Sequence, residues 1–285
     1  MSAGPVRLEQ VESIDSTNAE LMRREVHGSD DTVCALWAQQ QTAGRGRQGR
    51  IWHSQPQDAI TLSVALNVSA PVSALLGLPL AIGVALAEVL QREGAALWIK
   101  WPNDLYRIDQ NRPAKVGGIL TEVKPLGEGR HRVVSGFGLN LFAPPEGLRN
   151  PQPGPRGEAT ESQWSQSTSS PGPSPVAAGA IFGPQARACM DRAALAQGLA
   201  DAVADVMRRY PEAGLAPWLD GWRRRDLLAG RAITVHHPDG RREPAQAKGI
   251  DAQGALQIID ALGGARTLTS AEVSVRLQAG SAGII

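Results

Sequence analysis

ALWIKWPNDLY (Ala96–Tyr106), KVGGILTEV (Lys115–Val123) and RVVSGFGLNL (Arg132–Leu141) decide the fold class. Each is a short run of β-branched, aromatic and leucine residues bounded by turn-forming or charged positions, so three strands joined by tight turns are expected. Upstream, TVCALWAQ from Thr32 and ITLSVALNV from Ile60 read as two further strands. Thr17-Asn18-Ala19-Glu20 has the form of a capping box, with Thr17 accepting from free helix amides and Glu20 reaching back. Ser73 to Arg92 repeats Leu75, Leu76, Leu80, Ala81, Val84, Leu86 and Val89 at helical spacings, which predicts a largely buried helix despite Pro79. Helical periodicity returns from Ala186 to Tyr210, with Cys189, Leu195, Leu199, Val203 and Val206 near one face, and a short helix is expected over Trp218–Leu228. Strands with a few covering helices make an α+β pattern.

From Arg231 onward AITVHH, PAQAKGID, GALQIID, ARTLT and EVSVRL are short β-like runs between glycine-containing turns, the pattern of a small β-barrel of SH3-like size. The expected division is residues 1–228 and 229–285. Eight of the 20 prolines fall between Pro144 and Pro175 among Ser, Gly and Gln, so residues 144–180 are expected to be a disordered insertion.

A net charge of +1 over 285 residues supplies no broad field for nucleic acid, so any anion site must be local. Two distant cysteines, Cys34 and Cys189, outline neither a disulfide framework nor a zinc site. With no leader-like start and no uninterrupted apolar run of about 18 residues, a soluble cytoplasmic protein without membrane partners is expected.

Gly44-Arg45-Gly46-Arg47-Gln48-Gly49-Arg50-Ile51-Trp52 alternates arginine with glycine and ends on an indole. Glycines let backbone amides approach an anion, guanidinium groups donate forked hydrogen bonds, and an indole stacks on a flat base, so a nucleotide fits. The loop alone fits equally well an RGG-like patch for single-stranded nucleic acid or a solvated basic loop. Lys100-Trp101-Pro102-Asn103-Asp104 is a stiff polar turn in which Asp104 could hold Mg²⁺ or orient an arginine, or form a simple Asx turn. Lys115 opens an apolar strand, and Gly136 and Gly138 sit within another, which marks close approach of a ligand or a second backbone.

Taken in order, STN at Ser16, QTAGRGRQGRIWHS from Gln41, KWPND from Lys100, KVGGILTE from Lys115 and GFGLN from Gly136 resemble the catalytic domain of the biotin protein ligase family. KGIDAQGAL from Lys248 and AEVSVR from Ala271 extend the likeness into the tail. The resemblance implies a mixed β-sheet with covering helices, like class II aminoacyl-tRNA synthetases and biotin ligases, followed by the small barrel. It also implies that ATP and biotin condense to biotinyl-5′-adenylate, and that biotin then passes to a lysine of a biotin carboxyl carrier protein such as that of acetyl-CoA carboxylase. Ser16, Thr17, Asn18, Gln41, Arg45, Gly46, Arg47, Lys115, Gly117 and Gly118 would line the biotin and adenylate site, with Lys115, Arg47 and Arg45 supplying catalytic charge. Arg50, Trp52, Lys100, Asn103, Asn140, Glu272 and Arg276 would serve ATP, and Asp104 Mg²⁺. A pocket near Trp37, Val116 and Leu120 would take biotin's apolar parts.

Gln48 stands where many relatives carry another arginine. The 15 residues before Ser16 leave no room for the winged helix-turn-helix of bifunctional relatives, so no specific DNA binding is expected. Monomer and homodimer both stay open, since an edge strand can pair two chains. A lipoyl or octanoyl ligase on the same scaffold, and a single-stranded nucleic-acid binder, are the alternatives.

Overall fold

The computed structural model describes residues 6–24, 32–143, 179–269 and 273–278. A mixed seven-stranded sheet is built from β1 (Leu8–Ile14), β2 (Cys34–Gln41), β3 (Ala59–Val68), β4 (Trp98–Lys100), β5 (Asp104–Asp109), β6 (Arg112–Gly127) and β7 (Arg130–Asn140). Their order is β1-β2-β3-β7-β6-β5-β4, with β1 and β2 parallel and every other pair antiparallel. The first predicted run, Ala96–Tyr106, is therefore two strands folded back at Trp101–Asn103, and Asp104 begins the second. Strand β1 escaped the sequence reading because Leu8, Val11 and Ile14 recur every third residue, whereas a half-buried strand advertises itself by alternation.

One face of the sheet carries Ile60, Leu62, Val64, Val133, Phe137 and Leu139 into the main core beneath α2 (Leu78–Arg92) and α3 (Arg192–Ala213). The opposite face is partly covered by α1 (Thr17–Arg23), whose Leu21 closes a small cluster with Leu36, Ala65 and Val134. Helix α1 is capped by Ser16, whose side chain accepts from the Ala19 N–H, rather than by Thr17. Glu20 does not reach back; it pairs with Arg23 and Arg24 instead. Helix α2 begins at Leu78 after a 3₁₀ turn over Val72–Leu75, so Pro79 lies in the first helical turn, where its missing N–H costs nothing. Val72–Arg92 is long and apolar enough to cross a membrane, but it lies between sheet and α3 with most of its residues buried, which makes it a core helix. Asp191 caps α3, leaving Cys189 outside it and exposed, and the predicted helix over Trp218–Leu228 shrinks to α4 (Leu219–Arg223).

The tail forms a separate five-stranded antiparallel sheet: β8 (Ala232–His236), β9 (Arg242–Ile250), β10 (Leu256–Asp260), β11 (Ala265–Leu268) and β12 (Ser274–Leu277), in the order β11-β10-β9-β8-β12. It is tied to the larger sheet beside β4. The Ile99 N–H donates to the Arg225 carbonyl at 2.7 Å, the Leu227 N–H to the Ile99 carbonyl at 2.9 Å, and the Trp101 indole N–H to the Gly254 carbonyl at 2.9 Å. The proposed disordered insertion falls outside the described residues up to 178. Its last two positions are ordered, because the Gly179 N–H donates to the Lys115 carbonyl at 2.8 Å.

Candidate active site

On the sheet face that α1 leaves uncovered, register aligns Gly118 with Gly138 and Leu120 with Gly136, with Thr61 and Ser63 of β3 alongside. A Cβ at Gly136 would collide with the Asn18 carboxamide, and one at Gly138 with the Trp52 indole. Glycine at both positions thus permits two side chains to lie against the sheet.

At the α1 end of this floor the polar groups are mutually bonded and carry no net charge, the one carboxylate, Glu122, being matched by Arg45. Thr17 donates its N–H to Gln41 Oε1 at 2.8 Å and shares a 2.7 Å hydrogen bond with the Ser63 hydroxyl. The Ser63 hydroxyl donates to Asn18 Oδ1 at 2.6 Å, and Asn18 Nδ2 donates to Glu122 Oε2 at 2.8 Å. Ser16, Thr17, Asn18 and Ser63 are all buried, and Arg45 closes the chain from the rim with Nη2 at 3.3 Å from Glu122 Oε2. Burial without satisfied hydrogen bonds would be costly, which explains why the network is continuous.

The other end is cationic. Between Leu105–Gly117 and Tyr106–Lys115 the β5–β6 register shifts, leaving Val116 as the extra residue of a bulge. In a regular strand Lys115 would share a face with Gly117, whose missing Cβ points toward Leu139 and Leu105 on the core side. The bulge turns Lys115 onto the face of Gly118 instead. There its Nζ lies 2.7 Å from Asp104 Oδ1, while Lys100 Nζ is 4.0 Å from Asp104 Oδ2. Burial pushes the Lys100 ammonium below the ordinary lysine range; Asp104 opposes this, and Lys115, Arg276 and Arg50 reinforce it. Burial likewise lowers the Arg47 guanidinium.

The arginine loop folds over this floor as a small hairpin. The Gly46 N–H donates to the Arg50 carbonyl at 2.7 Å and the Trp52 N–H to the Gly44 carbonyl at 2.9 Å, with Gln48 in the left-handed region at φ 57°. Arg47 Nη1 donates to Asn103 Oδ1 at 3.3 Å, and Asn103 Nδ2 to the Ile119 carbonyl at 2.7 Å, so Asn103 pins the turn to β6. Trp52 lies over Gly138 with Lys115 Nζ 6.0 Å from its ring centre. Its indole N–H is buried without a hydrogen-bond partner. Arg50 bonds within its own loop, to the Arg47 carbonyl and Gln48 Oε1, and Asn140, at the end of β7, donates to the Gly179 carbonyl at 3.4 Å.

Most of the residues singled out from sequence therefore converge, Arg276 among them through its electrostatic reach to Lys100. Gly117 does not join them, since it faces the core, and Glu272 lies outside the described residues. Trp37 and Val116 also belong to the core beneath the sheet, which leaves Leu120 alone of the three expected pocket residues on the site face. Ser63 and Glu122 are additions: Ser63 is the polar exception at the centre of ITLSVALNV, a signal that was available, whereas Glu122 looks like any strand carboxylate. Asp104 fits poorly as a metal anchor, because its two oxygens face two ammonium groups. Among the described residues no group of three or more His, Cys, Asp or Glu could hold a metal ion.

Residues 11–140 match the biotin/lipoate A/B protein ligase family. The biotin–[acetyl-CoA-carboxylase] ligase of Mycobacterium tuberculosis is 32% identical, covering 95% of this chain and 90% of its own length. The bifunctional ligase/repressor BirA of Escherichia coli is 31% identical, over 92% of this chain and 72% of its own length. Among solved structures, the Aquifex aeolicus biotin protein ligase in complex with biotin and ATP shares the fold with a TM-score of 0.66 at 22% identity, covering 95% of this chain and 99% of its own.

Proposed function

The chain belongs to the biotin protein ligase family, and from that membership we propose how its own residues make biotinyl-5′-adenylate from biotin and ATP and pass biotin to a carrier lysine. The observation that carries the assignment of roles is the polarity of the glycine floor, neutral and hydrogen-bonding at the Thr17–Asn18 end and cationic at the Lys115–Lys100 end. Biotin has the matching polarity: a ureido ring that needs paired donors and acceptors, and a carboxylate at the far end of its tail.

Ser16, Thr17, Asn18 and Gln41 receive the ureido ring, and the tail runs over Gly118 past Leu120. The carboxylate then meets Lys115 and Arg47. One of its oxygens attacks the α-phosphorus of ATP, forming the new P–O bond as the bond to pyrophosphate breaks. Two anions approach each other in this step, so charge fixed beforehand is the main catalytic resource. Lys115 supplies it at the reacting oxygens, Arg47 and Arg45 beside them, and Lys100 and Arg276 at the departing phosphates. Trp52, Asn103, Asn140 and Arg50 hold the nucleoside side. In the second step the neutral amine of the acceptor lysine attacks the anhydride carbonyl and AMP leaves, the proton that the amine releases passing to water.

Among the described residues no acidic cage is formed for Mg²⁺, so the ion would arrive with the nucleotide phosphates and would supply charge neutralisation of the leaving pyrophosphate. We read the tail sheet as an SH3-like barrel closing the phosphate end of a class II-synthetase-like domain, on the support of its size and strand order. The partner is a biotin carboxyl carrier domain, met in the cytoplasm.

Incubating the chain with ATP, Mg²⁺, biotin and a biotin carboxyl carrier domain should add one biotinyl group to the carrier's intact mass. Addition of lipoyl from a parallel tube, with none of biotin, would move the assignment to the lipoate branch.

A further inference from the structure

The charged face of the tail sheet holds a group that the reaction just described does not use. His236 ends β8, opposite Ser274 of β12 and Arg242 of β9, while Arg276 stands opposite Thr234, one step along. Ile233 and Val235 point into the core of this sheet, so His236 and Thr234 lie on the other face, with Arg276 and Arg242 exposed on it. The tail sheet is tied to the turn after β4 by the Trp101 indole N–H on the Gly254 carbonyl, and His236 lies within electrostatic reach of Lys100, Arg276 and Arg242, as Lys100 in turn does of Asp104, Lys115, Arg276 and Arg50. An imidazole among three cations is poorly placed to carry charge unless an anion joins it.

We propose that His236 is an anion-binding side chain of the pyrophosphate end of the site, reaching the departing diphosphate together with Lys100 and Arg276. The inference rests on the reading that nucleotide phosphates occupy the cationic end. Burial and the neighbouring Arg276, Arg242 and Lys100 hold the His236 imidazole below its ordinary value, so at neutral pH it is uncharged in the free protein. A bound polyphosphate reverses the local field and favours the imidazolium. Between the free and bound titration midpoints, binding takes up a proton at His236, and affinity strengthens as pH falls through that window.

The adjacent His237 provides an internal control, because it faces Glu243, with Nε2 3.1 Å from Glu243 Oε2, rather than the cationic cleft. The experiment is an NMR titration of the five histidines of the whole chain with and without inorganic pyrophosphate, assigned sequentially through the backbone of the isotope-labelled wild type. Pyrophosphate should raise the His236 midpoint by about one pH unit and leave His237 in place. Calorimetry should show His236→Gln binding pyrophosphate about fivefold to tenfold more weakly than the wild type at pH 6, with the difference shrinking to twofold or less at pH 8. Comparing the proteins at equal pH cancels the protonation of pyrophosphate itself. An unmoved His236 midpoint under saturating pyrophosphate overturns the proposal, even where the substituted protein does not fold, because that readout uses the wild type. Carrier biotinylation separates the two readings. If it proceeds while His236 stays unmoved, this inference falls alone; if His236 responds but no carrier is modified, the ligase roles fall and the anion site stands.

Discussion

The two ends of the glycine floor solve opposite problems, one buried at Thr17, Asn18 and Ser63 and the other partly open to solvent at Lys115. At the α1 end, Thr17, Asn18, Ser63 and Glu122 satisfy one another before any ligand arrives, so binding there trades hydrogen bonds at small net gain. At the other end, Lys100 and Lys115 share the carboxylate of Asp104, so that among the described residues this pair holds positive charge in excess for an incoming anion to offset. In the proposed reaction the first arrangement would select a shape and the second would hold electrostatic potential for a transition state. Mutations should therefore separate them, with rate lost at the cationic end and affinity for the uncharged ring lost at the neutral one.

The largest effect is expected for Lys115→Ala. It removes the ammonium nearest the reacting oxygens, and biotin-dependent pyrophosphate release should fall in kcat/KM by about 10²–10³-fold, the scale of one preorganised charge. Binding of biotin methyl ester, which lacks the carboxylate charge, should change by less than about threefold. A large loss of ester affinity would join the two ends into one functional unit.

Next in size are the paired substitutions Gly136→Ala and Gly138→Ala. Each adds a methyl group that cannot coexist with the present position of one neighbour, Asn18 in the first case and Trp52 in the second. Gly136→Ala should weaken biotin about tenfold and leave ATP alone, whereas Gly138→Ala should raise the KM for ATP about tenfold with biotin affinity kept. Calorimetry with each ligand separately checks both, and equal effects of the two substitutions on both ligands would break the comparison.

Much of this was legible in advance because it is written in local chemistry. The α+β class, strands β2, β3, β6 and β7 and the cluster of Arg47, Lys100, Asn103, Asp104 and Lys115 all follow from short motifs and period-two runs, whereas the fold-back between β4 and β5 does not. What was not legible depends on which way a strand faces. Alternation counted from the apolar residues puts Lys115 and Gly117 on one face, and only the bulge at Val116 separates them. Trp37 and Val116 suit a ligand pocket by chemistry, yet register consigns them to the core. Ser63 joins the network of Thr17 and Asn18 only once β3 lies beside β7 under α1, a contact 45 residues from Asn18 that no local pattern carries.

The smallest effect on catalysis, and the sharpest check that the cationic end is a local construction, is expected for Asp226→Asn. Asp226 lies behind that end, where the segment after α4 pairs with Ile99 next to Lys100. It is buried, its Oδ1 accepts the Leu228 N–H at 2.8 Å, and its Oδ2 has no hydrogen-bond partner. Burial pushes its carboxyl up to about 6 from an ordinary 3.8. In the interval from about 4 to 6 the folded protein thus holds a proton that the unfolded chain has lost. Stability from this group is full at the acid end, declines as pH rises through the interval and is flat above it, for a loss of up to about 3 kcal/mol. Asparagine keeps the Oδ1 acceptor and fills the second position with a neutral group, so it should abolish that decline and raise the melting temperature at pH 7 but hardly at pH 4. Differential scanning calorimetry across this range, alongside pyrophosphate release at pH 7, checks both halves. A parallel pH profile in the two proteins would show that Asp226 is solvated, and a large fall in rate would show that the anchoring of β4 governs the cationic site as strongly as its own charges do.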